Sequence, residues 1–155
     1  MTIKSIGVIG AGIMGNGIAQ VCASHGLEVT MIDIHDAALE RGMDTITHSL
    51  ERMVKKGTLS QESLGQALKR IAVSTDYQKL VNLDLVIEAA TENQSLKEKI
   101  LHEVDSLVPK ETIIATNTSS LSITKLASLN SNSERFIGMH FFNPVPLMSL
   151  SLIHI

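Results

Sequence analysis

The chain has one cysteine, no tryptophan, three prolines and only 3% aromatic residues. Because Cys22 has no possible intrachain partner, we expect a buried thiol in a protein of a reducing compartment. No apolar run approaches the roughly 20 residues that cross a membrane, and the first residues lack a signal-peptide pattern. These absences predict a cytoplasmic protein without a membrane segment.

The chain also has no excess of positive charge: it has 13 Lys and Arg residues and 16 Asp and Glu residues, which give a net charge of −3. This balance does not favour a nucleic-acid-binding surface. At 155 residues and 44% hydrophobic residues, the chain is long enough for one domain with its own core. We predict no metal site.

What the sequence does have is a glycine motif, in the segment VIGAGIMGNGIAQ. Gly10, Gly12 and Gly15 separate a short apolar run, typical of a buried strand, from residues with helical spacing that end near Gly26. A second apolar run then carries Asp33, about 20 residues beyond the glycines. This order predicts the βαβ unit that begins a dinucleotide-binding fold.

Each glycine has a distinct expected role in that unit. Gly10 permits a tight turn, Gly12 lets backbone N–H groups approach a pyrophosphate, and Gly15 allows close helix–strand packing. Asp33 would accept hydrogen bonds from the adenosine ribose, and its charge would repel a 2′-phosphate, which favours NAD over NADP. The alternative is a glycine-rich turn that binds no nucleotide.

Further along the chain, apolar spacing predicts helices and strands in alternation. The predicted helices cover 36–56, 59–70, 95–107 and 122–129, and the predicted strands cover 71–74, 83–89, 112–116 and 135–139. In the third of these helices we expect an inward stripe of Leu96, Ile100, Val104 and Leu107. The alternation predicts an α/β fold of the Rossmann type, with a doubly wound, mostly parallel sheet and helices on both faces.

Polar residues follow three of the predicted strands. Glu88 and Glu92 lie at or just after the end of one strand, the next strand is followed by Asn117, Thr118, Ser119 and Ser120, and the one after by His140 and Asn143. Because ligands of such sheets bind at the carboxyl ends of the strands, we expect these groups to meet at one edge.

The segments VIEAATEN, ATNTSSLSIT and GMHFFNPVPLM join the glycine motif in a more specific pattern. Through them the chain resembles the NAD-binding domain of the 3-hydroxyacyl-CoA dehydrogenases, over about residues 3–148. The resemblance implies hydride transfer between NAD and a (3S)-3-hydroxyacyl-CoA, such as 3-hydroxybutyryl-CoA, with a 3-oxoacyl-CoA as product. We therefore assign 1–148 to an NAD-binding Rossmann domain.

The same resemblance implies roles for individual residues. Catalysis would use His140 with Ser119, and the coenzyme A portion of the substrate would meet Ser49, Lys56 and Ser119. The residues implied at NAD are Gly10, Ala11, Gly12, Ile13, Met14, Gly15, Asp33, Glu92, Lys97, Ser119 and Asn143. His140 would accept the hydroxyl proton, since imidazole titrates near neutral pH, and Ser119 would hydrogen-bond the substrate oxygen.

Most of these residues also have plain structural interpretations. His140 could be a structural or surface histidine, and Ser119 and Asn117 could cap the following helix. Glu92 could be a first-turn acid that favours the helix dipole. Lys97 could pair with a nearby acid or point into water, and Lys56 could be a solvated helix end.

The last segment, SLSLIHI at 149–155, departs from the family pattern. The resemblance places a glutamate that pairs with the catalytic histidine at position 152, where this chain has Leu152. We therefore expect a truncated chain with an atypical tail, without the helical C-terminal domain through which the parent would form a homodimer. Little or no turnover is expected from such a chain.

Two other functions stay open at this stage. One is a non-catalytic module that binds NAD. The other is a dehydrogenase of hydroxy acids that carry no coenzyme A, which dependence of activity on the thioester portion would exclude.

Overall fold

The computed structural model describes residues 2–148 and the backbone of residues 152–154. Seven strands lie within these ranges: β1 (Ser5–Ile9), β2 (Glu28–Ile32), β3 (Ile71–Ser74), β4 (Leu85–Glu88), β5 (Ile113–Thr116), β6 (Phe136–His140) and β7 (Leu152–His154). The α-helices are α1 (Ile13–Ser24), α2 (Asp36–Lys55), α3 (Gln61–Lys69), α4 (Gln94–Leu107) and α5 (Ile123–Ala127). Short 3₁₀ helices occupy Tyr77–Leu80 and Ser133–Arg135.

All the strands belong to one sheet, in the order β3-β2-β1-β4-β5-β6-β7. The pairs from β3 to β6 are parallel, whereas β7 runs antiparallel to β6. Strand order reverses between β1 and β4, and a doubly wound sheet opens its ligand crevice at such a point. The predicted Rossmann-type, mostly parallel sheet is confirmed.

The core lies on both faces of the sheet. Alternate residues of β4 join different apolar clusters, with Leu85 and Ile87 in one and Val86 in the other. Ile18 of α1 packs in the first cluster and Leu101 of α4 in the second, so the helices cover opposite faces. Burial on both sides explains why β1, β4 and β5 read as continuous apolar runs.

One predicted helix face is wrong by about one position. The buried residues of α4 are Lys97, Leu101, Val104 and Asp105, while Leu96 is 48% exposed. Lys97 and Asp105 sit on the inner face because each forms a buried ion pair, with Glu88 and Arg135 respectively. Apolar spacing alone could not predict an inward face that includes charged residues.

Cys22 lies in the apolar cluster beneath α1 and is 8% exposed, which confirms the predicted core thiol. Burial raises its pKa to about 11. In the part of the chain that the structure describes, no helix is long and apolar enough to cross a membrane.

Candidate active site

The glycine turn between β1 and α1 is built by backbone contacts that exclude side chains. Gly10 has a φ of 102°, and a Cβ there would lie 2.7 Å from the carbonyl oxygen of Ala89. A Cβ at Gly15 would lie only 1.7 Å from the carbonyl oxygen of Gly10. The predicted tight turn at Gly10 and close packing at Gly15 are thus both present.

Gly12 differs, because a Cβ there would meet nothing within 4 Å. It precedes α1 as the N-cap residue, and no side chain caps the helix at that end. The open space therefore faces the positive end of the helix dipole, which suits a pyrophosphate. Ile13 beside it is 71% exposed, and Met14 is partly buried. Contact of these residues with NAD stays a prediction.

Asp33 lies one residue beyond β2 rather than within it. One carboxylate oxygen accepts a hydrogen bond from the backbone N–H of Ala11 at 3.0 Å, and the other accepts from the N–H of His35 at 3.2 Å. The carboxylate of Asp33 therefore stabilises the glycine turn, and the same side chain lines the space beside the turn.

A cleft of about 600 Å³ opens between the glycine turn and α4. Its lining includes Gly10, Asp33, Ile34, Tyr77, Ala90 and Leu96. Most of this surface is apolar, with a few polar and charged side chains that include Asp33 and Glu103, which is the usual composition of a small-molecule or cofactor site. Burial and the nearby Glu103, Asp33 and Glu88 carboxylates raise the pKa of Tyr77 to about 12, so its hydroxyl stays protonated.

A second cleft, of about 310 Å³, lies at the ends of β5 and β6. Ser119 and His140 both line it, together with Thr118 and Ser122. The two residues that the resemblance assigns to catalysis therefore face one space. The polar groups that follow β5 and β6 thus meet at one edge as predicted, and Glu92, after β4, bonds to the same segment, whereas Glu88 is buried away from the cleft.

The imidazole of His140 is oriented by its neighbours. Nδ1 lies 3.1 Å from the carbonyl oxygen of Asn117, and the ring meets Phe142 edge-on, with centroids 5.2 Å apart. Because a carbonyl oxygen only accepts, Nδ1 carries the proton in this contact and Nε2 carries the lone pair of the neutral ring. The side-chain oxygen of Asn117 accepts from the N–H of Phe141 at 2.9 Å, which fixes the start of the loop after β6.

Glu92 clamps the segment that carries Ser119. One of its carboxylate oxygens accepts hydrogen bonds from the hydroxyls of Thr118 and Ser120, at 2.7 and 2.8 Å. Ser119 lies between these two anchors and is exposed to the cleft. Burial opposes the charge of Glu92, but the two hydroxyl donors and the positive charge of Lys97 hold its pKa below the usual range.

The capping alternatives are wrong for this segment and for Glu92. The residue that caps α5 is Ser122, whose hydroxyl accepts from the N–H of Lys125 at 3.3 Å, so neither Asn117 nor Ser119 has that role. Asn93 caps α4, and Glu92 lies before it, outside the first helical turn.

The side chain of Lys97 is buried in an ion pair, whereas a direct contact with a cofactor requires exposed surface. Its ammonium group pairs with the carboxylate of Glu88, and the two side chains are 1% and 0% exposed. The alternative that Lys97 pairs with a nearby acid is confirmed, and the alternative that it points into water is wrong. Sequence reasoning did not assign Glu88 a partner, although an acid at the end of an apolar strand requires one.

The remaining predicted site residues lie outside the lining of the two clefts. Asn143 is exposed in the loop after β6. Ser49 is half-buried on α2, and Lys56 is the exposed residue that ends this helix. Neither α2 residue lines the two clefts described above. Their contact with coenzyme A stays a prediction.

Position 152 can be placed only by its backbone. The antiparallel register pairs Leu152 of β7 with His140 of β6. The position at which the resemblance predicts a glutamate is therefore directly opposite the histidine in the sheet. The side chain of Leu152 lies outside the described residues, as do residues 149–151 and 155 of the predicted atypical tail.

Comparison with known proteins agrees with this arrangement. Residues 5–153 match the family model of the 3-hydroxyacyl-CoA dehydrogenase, NAD binding domain. The chain belongs to this family. The match includes position 152 and most of the tail that was expected to be atypical.

Two relatives show how the chain compares with longer proteins. A 3-hydroxybutyryl-CoA dehydrogenase of Bradyrhizobium diazoefficiens is 48% identical over 148 residues, which are 96% of this chain and 50% of the relative. The crystal structure of (S)-3-hydroxybutyryl-CoA dehydrogenase from Ralstonia eutropha superposes with a TM-score of 0.94 at 55% identity, covering 98% of this chain and 53% of that chain. The chain thus spans about half the length of both.

Proposed function

We propose that this protein is the NAD-binding part of an oxidoreductase that transfers a hydride between NAD and a (3S)-3-hydroxyacyl-CoA, such as 3-hydroxybutyryl-CoA. The observation that carries the proposal is that Ser119 and His140 line one cleft, at the sheet edge that also bears the glycine turn. The names of the relatives support the substrate class.

The glycine turn fits the cofactor. The space over Gly12 and the uncapped start of α1 would receive the pyrophosphate, and Asp33 would receive the adenosine ribose. The negative charge of Asp33 would disfavour the 2′-phosphate of NADP. When bound, NAD supplies the hydride acceptor, and the chemistry left to the protein is orientation and proton transfer.

The protein's own share of the reaction belongs to His140 and Ser119. As the 3-hydroxyl carbon gives up its hydride, the lone pair of His140 Nε2 accepts the hydroxyl proton, and the C–O bond becomes a carbonyl. The hydroxyl of Ser119 donates a hydrogen bond to the same oxygen and orients it. In the reverse direction His140 returns the proton to the developing alkoxide.

We assign the pantetheine and phosphate end of the substrate to the α2 surface that carries Ser49 and Lys56. A lysine at the end of a helix can attract phosphate, but its neighbour Lys55 can do so equally. We also propose that the parent protein is a homodimer, with contacts in a C-terminal domain.

A second candidate is an NAD-binding module without turnover. The feature that favours it is Leu152, because the register of β6 and β7 places this position opposite His140. A carboxylate at such a position would stabilise the imidazolium that forms during the reaction, which a leucine does not.

One series of measurements separates the candidates. The chain is titrated with NADH and NADPH by nicotinamide fluorescence, then assayed for oxidation of NADH by acetoacetyl-CoA and by acetoacetate. Saturable NADH binding with turnover that requires the coenzyme A thioester supports the dehydrogenase. NADH binding without turnover supports the second candidate, and turnover of acetoacetate supports a hydroxy-acid dehydrogenase.

A His140→Gln variant is the matched control for this series. It should keep NADH affinity within about twofold of the unchanged chain, because the residue acts on the substrate proton, and it should abolish turnover. A folded circular-dichroism spectrum without binding of either nucleotide would contradict the cofactor assignment.

A further inference from the structure

The loop between β4 and α4, residues 89–92, borders both clefts. Ala90 and Thr91 line the larger cleft beside the glycine turn. Glu92 reaches the opposite way and accepts hydrogen bonds from Thr118 and Ser120, which flank Ser119. A displacement of this loop would therefore alter the cofactor cleft and the segment of Ser119 together.

The loop lies directly against the glycine turn. The N–H of Ala89 donates to the carbonyl oxygen of Ile9 at 2.8 Å. The position of a Cβ on Gly10 would be 2.7 Å from the Cα of Ala90, so only a glycine allows this approach. The shape of the turn and the position of the loop consequently depend on each other.

A buried ion pair fixes the loop at both of its ends. Glu88 precedes the loop, and one carboxylate oxygen accepts from the N–H of Ala90 at 2.9 Å. The other oxygen accepts from the hydroxyl of Thr116 at 2.8 Å and from the ammonium group of Lys97. Lys97 follows the loop, in the first turn and a half of α4.

We propose that Lys97 and Glu88 form a positioning pair: Lys97 holds the Glu88 carboxylate, and Glu88 holds the 89–92 loop in the place that NAD binding needs. The inference rests on the proposed function. It gives Lys97 a role through Glu88 instead of the direct cofactor contact that the family resemblance implies. Exposure of 1% and 0% for the two side chains supports this, since neither offers surface to a bound nucleotide.

Both charges of the pair can be removed while the hydrogen bond from the N–H of Ala90 to the side chain of residue 88 is kept. In Lys97→Met, the carboxylate of Glu88 stays buried without its counter-charge, which is costly unless it takes up a proton or moves toward water. In the double variant Glu88→Gln/Lys97→Met, a neutral amide oxygen can still accept from Ala90, and no counter-charge is needed. A direct contact and a positioning role therefore predict different results for the double variant.

The test is an NADH titration, below the melting temperature, of the unchanged chain, Lys97→Met and the double variant. Lys97→Met should bind about tenfold more weakly, within the range of about 5- to 150-fold typical of coupled sites. The double variant should recover to within about threefold of the unchanged chain. If Lys97 touches the cofactor directly, both variants will bind equally weakly, which overturns the proposal.

A second buried ion pair, between Asp105 and Arg135, serves to distinguish a positioning role of Lys97 from a purely structural one. Asp105→Asn removes the partner of Arg135 near the far end of α4, and it should lower the melting temperature with NADH affinity unchanged. If Lys97→Met behaves in the same way, the proposal is wrong. If Lys97→Met does not fold, the double variant decides alone, because tight NADH binding without the ammonium group supports the proposal and loss of binding overturns it. Absence of NADH binding to the unchanged chain would overturn the proposed function as well.

Discussion

The glycine motif gives the sharpest prediction, because the same substitution three residues apart should mainly lower stability at Gly15 and mainly weaken NADH binding at Gly12. Gly15→Ala adds a methyl group where its carbon would lie 1.7 Å from the carbonyl oxygen of Gly10, far inside the 3.0 Å that real contacts respect. The atom that it meets belongs to the backbone and cannot rotate away. The start of α1 would have to move away from β1.

The size of the effect follows from two opposing contributions. Glycine in a helix interior is about 1 kcal/mol less favourable than alanine, so the substitution gains that amount. Overpacking costs about 1–3 kcal/mol, and contact with backbone argues for the upper end. A net loss of about 2 kcal/mol in the free energy of unfolding corresponds to a melting temperature about 4–8 °C lower for a chain of this length.

Gly12→Ala is the matched control, because its methyl group would enter space with no atom within 4 Å. As an N-cap substitution it should cost only about 0.5 kcal/mol, or about 1–2 °C. Its methyl group would occupy the path of the pyrophosphate, so NADH should bind at least about tenfold more weakly. Thermal denaturation and NADH fluorescence are measured on both variants.

Two results would refute this reasoning. If Gly15→Ala melts at or above the temperature of the unchanged chain, the close contact of α1 with the glycine turn is wrong. If Gly12→Ala binds NADH with unchanged affinity, the pyrophosphate does not approach the backbone there. Either result is decisive only for its own glycine.

Three further predictions concern individual acids and the thiol. Asp33→Asn keeps an oxygen that can accept the hydrogen bond from the N–H of Ala11, but it removes the negative charge. The preference for NADH over NADPH should therefore fall about tenfold in paired titrations. An unchanged ratio of the two affinities would show that Asp33 does not select between the nucleotides. Although burial of Asp105 opposes its charge, Arg135 and the backbone of Ser131 hold its pKa below the usual range. A depressed folded-state pKa gives stability that is present above the unfolded-state value, near 4, and lost as pH falls further. Asp105→Asn should therefore flatten the loss of unfolding free energy below about pH 4 in urea titrations, and an equally steep loss would contradict this. Cys22, buried and with a pKa of about 11, should react with iodoacetamide at pH 8 only after denaturation.

The sequence was sufficient for the parts of the fold that follow from apolar periodicity. The predicted strand at 71–74 matches the observed β3, and the long helix was predicted from 36 to 56 and observed at Asp36–Lys55. The face of α4 could not be predicted, because its inward charges are acceptable only beside partners distant in the chain. The short 3₁₀ helices and β7 were not predicted, since a single 3₁₀ turn or a three-residue strand is too short to repeat an apolar pattern.

For the site, the glycine spacing predicted backbone contacts that the structure contains, because those contacts depend on the absence of a side chain. The partners of polar residues were harder. Nothing local indicates that Glu92 bonds to Thr118 and Ser120, since these lie 26 and 28 residues away. The ion pair of Glu88 with Lys97 could have been predicted from the sequence, because the two residues lie close in the chain and a buried acid needs a partner.

These observations separate the requirements for binding from those for catalysis. In the proposed function, nucleotide binding would depend on the turn of Gly10, Gly12 and Gly15 and on the loop that rests against it, which are backbone features held between β1 and β4. In the proposed reaction, proton transfer would depend on side chains at the ends of β5 and β6. Changes at His140 or Leu152 should therefore leave NADH affinity nearly intact, whereas a change that shifts the glycine turn should weaken binding and turnover together. We therefore expect NADH to bind whether or not the groups for proton transfer at the second cleft are complete.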